Sequence, residues 1–358
     1  MSDPAPPTRS SIFSSRLSPT LHTKLATARI PVDSLSRTAP SRLEQTALPN
    51  IGLIELVSAA DFTRYYDRLY TTMFPRRAER ERSDLIVDRL TAQARGERVG
   101  LAPYRIVGIR DPVSGEAIGA AHFSVLPLPS SGSDGNVTCD STCKDADKSQ
   151  DRESGSSSSS RDGQSEASNW AVPYLQYIYV RPQNRRQDMS EVLHTMILAV
   201  AAADAAPHGR TVPFTLFETE PPDHGDDTAS RAYARERSKI HTSTGGLALM
   251  LRKNDHTGHV LSAHVQPGLE PDDPPLTLVW VIRQSPNPGR PYHVNTIGKH
   301  LIAAYYQSLR DEGFPEENIN LAERMVEARC TDSVFHLMPL GEVTHLSGHV
   351  YCETETDG

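Results

Sequence analysis

Cysteine is scarce in this chain, and the scarcity excludes a disulfide framework: Cys139, Cys143, Cys330 and Cys352 are the four among 358 residues, whereas small oxidised scaffolds are dense with paired cysteines. They read as reduced thiols. Long apolar runs are also lacking. No stretch approaches the roughly 20 residues of a membrane span and no secretory signal opens the sequence, so no membrane partner is expected. Basic charge is in deficit, and a net charge of −8 argues against a general nucleic-acid binder. The G-x-S-x-G, Walker, Rossmann and zinc-protease patterns are missing too, which removes several hydrolytic and nucleotide-dependent chemistries. Apolar residues make up only 37%, beside 27 prolines and 22 glycines, so much of the chain is expected in loops.

What is present is concentrated between Tyr174 and Asp204. Tyr174, Leu175, Tyr177, Ile178, Tyr179 and Val180 form an aromatic and β-branched run of strand length, closed by Pro182, which cannot donate to a central ladder. From Met189 the period changes: Met189, Val192, Leu193, Met196, Ile197 and Val200 recur at steps of three and four, the spacing of one helical face. Ser190 is placed to cap this helix. The amides of the intervening loop and first turn lack intrahelical acceptors and are available to an anion, with Arg185 and Arg186 adding positive charge.

This segment resembles motif A of the GNAT superfamily of N-acetyltransferases, in which a strand ending V-x-P leads through [QR]-x-x-G-x-[GA] into a helix. Val180, Arg181 and Pro182 supply the first part, and Arg185, Arg186, Gln187, Asp188, Met189 and Ser190 fill the second. The resemblance implies an α/β fold with a mixed, mostly antiparallel sheet flanked by helices, here with extra C-terminal helices. It also implies acetyl-CoA as acyl donor, its pyrophosphate held by Arg185 to Ser190 beyond the strand end at Tyr179 and Val180, and a small-molecule or protein amine as acceptor. Asp188 stands where the family has glycine, and Ser190 where it has glycine or alanine. A carboxylate there repels pyrophosphate unless it turns away or pairs with Arg185 or Arg186. Without the resemblance, the same letters describe an ordinary strand, turn and helix with a basic surface loop.

Elsewhere, residues 1–48 are rich in Ser, Thr, Pro and Arg and read as a disordered tail. Ile12, Phe13, Leu17, Leu21 and Leu25 recur in that tail at helical spacing in an acid-poor stretch, which keeps a mitochondrial presequence open beside a cytoplasmic location. A GNAT-like domain is expected over 50–285: a strand at Leu53–Val57, a helix through Phe62, Tyr65, Tyr66 and Leu69, a second over Arg80–Arg95 with Leu85, Ile86 and Leu90 inward, and a hairpin of Arg105–Arg110 with Ala117–Val125. A Ser-rich, low-complexity insertion, 127–171, interrupts it. Strands follow at Val212–Thr219, Leu247–Arg252 and Leu276–Arg283, with a helix over Ser230–Thr242, and 286–358 reads as a helical extension.

Acyl transfer to an amine needs a polarised thioester carbonyl, a neutral amine and proton transfer. In the resembled family the pantetheine arm wedges between the fourth and fifth strands, and a base projects from one of them. That implies Glu218 as general base, against the alternative that Glu218 and Glu220 merely solvate a strand end. The family's Y-x-x-x-G acid position, counted back from Gly245, falls on His241, against a surface or helix-cap histidine. Neither His256, His259 and His264 nor His345, His349 and Cys352 has convincing ligand spacing, so no metal is expected. Two other readings stay open: a non-catalytic GNAT-like binding module, and an acyltransferase that takes its acyl group from an acyl carrier protein.

Overall fold

The computed structural model describes residues 11–75, 80–128, 170–221, 224, 227–255, 258–271, 273–289 and 291–346. The expected insertion falls almost wholly outside them, as do Cys139, Cys143, His256, His349 and Cys352.

Among the described residues nine strands form one sheet in the order β1 (Leu53–Leu56), β2 (Tyr104–Arg110), β3 (Ala117–Pro127), β4 (Ala171–Val180), β5 (Phe214–Thr219), β8 (Val279–Gln284), β6 (Gly246–Lys253), β7 (Val260–Ser262), with β9 (Ser333–Pro339) also paired to β6. Every pairing is antiparallel except β4 with β5. The architecture is therefore a mixed α/β fold with a mostly antiparallel sheet flanked by helices, as the resemblance implied.

Alternation along β3 divides the two faces. Ala121, Phe123 and Val125 join the core that includes Met189 and Val192, whereas Ala120 and Leu126 join the cores on the other side. One face is covered by α6 (Met189–Ala205). The other is covered by α3 (Ala59–Asp61), a π turn at Phe62–Tyr66, α4 (Asp67–Met73), α5 (Ser83–Ala94), α8 (Val294–Asp311) and α9 (Glu316–Cys330). Helix α7 (Thr228–Ser243) is capped by Asp227, whose carboxylate accepts from Ser230 N–H.

The expected disordered tail is a correction. Residues 11–50 fold over α6 through α1 (Pro19–Thr27), α2 (Pro40–Thr46) and 3-10 turns, burying Phe13, Leu21 and Leu43 completely. Each such side chain contributes about 1.5–3 kcal/mol, enough to order a segment whose average composition reads as disordered. The helix beneath explains why the cover is needed. Every residue of α6 except Ser190, Ala202 and Asp204 is buried, because both its sheet side and its outer side are packed. Its stretch Met189–His208 is long and apolar enough to cross a membrane by length and composition, contrary to the sequence expectation, but 78% of that window is buried inside the protein. Asp204 anchors the cover by accepting from Lys24 and, at 2.8 and 2.9 Å, from Arg105.

The separate helical extension at 286–358 also gives way. Its β9 lengthens the sheet beside β6, and α8 buries Ile297, Leu301, Tyr305 and Tyr306 against it. On α5, Ile86 and Leu90 face inward, but Leu85 is exposed, and the third inward residue is Arg89. Arg89 pairs with Glu81 and with Glu312 at the end of α8, each at 2.6 Å, and so ties the two halves of this face together.

Candidate functional site

The site is built around a break in the sheet. Across β3 and β4, His122 pairs with Tyr177 and Phe123 with Leu175, so Gln176 is an extra residue without a partner, a β-bulge that bends β4. The parallel ladder between β4 and β5 consists of Tyr174 with Leu216 and Leu175 with Phe217, and it ends at the bulge. Beyond it, β4 runs on to Val180 with its β5-facing edge unpaired among the described residues. Gln176 Oε1 is buried without a hydrogen-bond partner among the described residues. On the other edge β4 is held tightly, since a Cβ at Gly119 would lie 2.5 Å from the Tyr179 carbonyl.

At the end of β4 lies the loop to α6. The first helix-type bonds run from Glu191 and Val192 N–H to Asp188 O, so the amides of Arg186 to Ser190 precede the intrahelical ladder. Arg186 and Asp188 both have positive φ, 63° and 54°. The backbone at the family's glycine position thus keeps the left-handed shape that glycine favours, which aspartate tolerates better than most residues. Arg185 and Arg186 are exposed, Gln187 accepts from Asn184, and Met189 is buried in the core. Ser190 is an exposed residue of the first turn rather than the cap. Asp188 occupies the cap position but makes no capping bond with its side chain.

The Asp188 carboxylate is turned to the N-terminal cover. Arg42 Nε and an Nη donate to its two oxygens at 2.9 and 3.0 Å, and Thr46 Oγ1 donates at 2.8 Å. The Arg42 bond, helped by Thr46, holds the carboxyl below its usual range despite partial burial. Its partner is therefore neither Arg185 nor Arg186. Glu191, one turn into the helix, is likewise engaged, accepting from Arg37 N–H at 2.7 Å and from buried Arg283.

Glu218 lies on the opposite face. It shares strand parity with Phe214 and Leu216, which belong to the core under α8, so its carboxylate faces inward and is not a solvated strand end. Tyr174 donates to it, and His264 Nε2 lies 2.8 Å from Oε1. Burial pushes the carboxyl up, but His264, Tyr174 and Tyr305 more than offset this and hold it below the usual carboxylate range. His264, read from sequence only as part of a weak metal cluster, is buried between Trp280, stacked at 4.5 Å, and Tyr305, edge-on at 4.9 Å. Among the described residues no group of three or more His, Cys, Asp or Glu gathers as a metal site.

Tyr179 also points away from the loop. Its hydroxyl and that of Tyr104 lie 3.0 and 3.1 Å from the two ring nitrogens of His122, whose pKa burial and Arg89 push down to about 3. Tyr177 packs between Tyr70 and Phe74 and accepts from Glu81 N–H at 2.9 Å. Beside Glu81 an open recess of 310 Å³ is lined by Arg80, Glu81, Arg82, Ser83 and Asp84.

No protein-family model and no curated protein matches the sequence. Among solved structures the chain is similar to a GCN5-related glucosamine N-acetyltransferase region of a fungal multi-domain GH3 β-N-acetylglucosaminidase, at 10% identity and a TM-score of 0.31. The match covers 58% of this chain and 19% of that one. Likeness at that level carries no argument about chemistry, which rests on the geometry above.

His241 is a further correction. It packs on Phe217 at 4.7 Å, a residue whose strand neighbour Glu218 points to the other face, so the sheet separates the expected acid from the expected base. Burial, with Arg237 and Arg283 nearby, lowers its pKa to about 4, leaving it uncharged near neutrality and unsuited to deliver a proton. The residues that sequence reasoning missed are Arg42, Thr46, His264, Tyr174 and Trp280. Only Glu218 carried a usable signal, as a carboxylate at a core-facing strand position that must find partners in the core.

Proposed function

We propose that this protein is an acyl-CoA-dependent N-acyltransferase that moves an acyl group, most simply acetyl, from CoA to an amine. The observation that carries the reading is the unpaired β4 edge beyond the Gln176 bulge, lying between the amide-rich loop to α6 and the Glu218 cluster. The residues fit the donor: amides ahead of the helical ladder and the cations Arg185 and Arg186 suit a pyrophosphate, and Asp188 is neutralised by Arg42. An unpaired strand edge supplies amides to a pantetheine amide and to a thioester oxygen.

In this reading the acceptor enters from the Glu218 face. The amine, deprotonated by solvent, attacks the thioester carbonyl; the C–N bond forms, the C–S bond breaks, and the nitrogen's surplus proton passes to Glu218 or to water beside it. The thiolate takes a proton from solvent. A carboxylate held low is a weak base toward a free ammonium but sufficient for the far more acidic nitrogen formed on attack. It also attracts a cationic acceptor, in keeping with the acidic charge of the chain.

One observation favours the second reading, a non-catalytic binding module: Glu218 is already engaged, accepting from Tyr174 and lying 2.8 Å from His264 Nε2. Calorimetric titration with acetyl-CoA, followed by an acyl-transfer assay against a panel of primary amines, separates the two. No heat at millimolar acetyl-CoA would sink the enzyme reading; binding without turnover selects the module. Turnover with acyl carrier protein and indifference to free CoA marks the carrier-dependent alternative.

A further inference from the structure

We infer that Arg42 is a positioning residue of the phosphate loop: by taking up the Asp188 carboxylate it makes an aspartate-bearing loop able to hold a pyrophosphate. The inference rests on the acyl-CoA reading and extends it to a residue from the N-terminal cover.

The geometry supports it in three steps. Left-handed backbone at Asp188 fixes the loop in the shape a glycine would give, so the aspartate alters charge rather than shape. An unpaired carboxylate among amides aimed at an anion raises the cost of that anion by like-charge repulsion, about tenfold in affinity for charges several ångströms apart near a surface. The charge is withdrawn by a planar fork. Both Arg42 bonds to Asp188 are near 3 Å, a bidentate arrangement that an ammonium cannot reproduce, and Thr46, one turn along α2, adds a third donor. The helix that presents these two side chains is itself anchored, because Leu43 between them is fully buried in the core beneath. Arg42 remains largely exposed, at 67% of its side-chain surface. Its place is therefore fixed by α2 and Asp188, and it is not a buried core cation.

The test is a double-mutant cycle on the full chain, read by calorimetry with CoA and, separately, with inorganic pyrophosphate. Arg42→Ala is expected to weaken CoA binding about tenfold in the Asp188 background and by less than twofold in the Asp188→Gly background, where there is no carboxylate to withdraw. Asp188→Gly alone is expected to bind CoA at least as tightly as the parent, and Arg42→Lys to recover only part of the affinity. Equal losses from Arg42→Ala in both backgrounds would overturn the inference, assigning Arg42 to direct phosphate contact or to folding, and no loss in either background would overturn it as well. If the parent binds neither probe, the acyl-CoA reading itself fails. Should Asp188→Gly unfold, Asp188→Asn keeps the left-handed tolerance and removes the charge, and the same cycle applies.

Discussion

Two carboxylates of nearly equal exposure, Asp188 at 17% and Glu218 at 15% of their side-chain surface, sit on opposite faces of one sheet, and both are held below their usual pKa. The causes differ. Asp188 is lowered mainly by its bond to an exposed arginine, whereas Glu218 overcomes its own burial through a fully enclosed histidine and two tyrosines. The comparison teaches that a depressed pKa does not identify a role. One carboxylate is paired by an exposed side chain at the end of the sheet; the other is held in a closed polar cluster beside the strand opening.

The largest effect expected from breaking this contrast is on turnover. Glu218→Gln keeps the shape and removes the charge, and acyl transfer is expected to fall by about 10²–10⁴ while CoA affinity stays within a factor of two. A matching loss of CoA affinity would place Glu218 in the donor site and erase the distinction between the faces. Next in size is Leu43→Ala, which empties a fully buried position beneath α2. It should cost about 2–5 kcal/mol in denaturant unfolding and weaken CoA binding as well, because α2 carries Arg42. A stability loss with unchanged affinity would show that the cover does not govern the loop.

These corrections show what was legible and why. The run from Tyr174 to Val200 could be read because strand and helix periods are local, and the same patterns placed β1 to β6 and β8 along the chain but not the short β7 or β9. Glu218 could be read as a candidate, but not its setting: Tyr174, His264, Trp280 and Tyr305 come from β4, the segment after β7, β8 and α8, and no spacing in sequence encodes their meeting. The N-terminal segment was misread because composition averages over the residues that decide the matter. Phe13, Leu21 and Leu43 are few but fully buried. The uniformly apolar stretch Met196–Ala203 of α6 held the missing signal, since a helix apolar on all sides needs a cover on both. His241 was misplaced by counting to a glycine without the strand parity that puts Phe217 and Glu218 on opposite faces.

Acid should sharpen the contrast between the faces. Burial lowers His122 to about 3 and His241 to about 4, and with Arg283 and Arg37 it lowers His194 well below its ordinary value. A folded pKa below the unfolded 6.5 means that, between those values, the unfolded chain binds more protons, so stability falls as pH falls. The fall begins near 6.5 and runs to about 4 for His241 and about 3 for His122, each histidine contributing about 1.4 kcal/mol per pH unit within its window. Denaturant midpoints measured from pH 7 to pH 4.5 should decline, and His122→Gln should flatten the slope by one such increment. An unchanged slope would mean that His122 already titrates in the folded protein.

The smallest expected effect concerns how independently the cover folds. Ser18 caps α1, its hydroxyl accepting from Leu21 N–H at 3.3 Å, and Ser18 N–H donates to Ile54 O at 2.8 Å, joining α1 to β1. Ser18→Ala removes only the cap, so the cost should be about 1 kcal/mol in a single cooperative unfolding transition. The cover shares a core with α6 and the sheet, so fraying of α1 cannot proceed without exposing Leu21 and the helix beneath. Two transitions in the variant, one early and one at the parental midpoint, would instead show a cover that unfolds alone. The loop's charge would then be set by a segment with its own stability, and Asp188 would lose Arg42 before the sheet that carries Glu218 is disturbed.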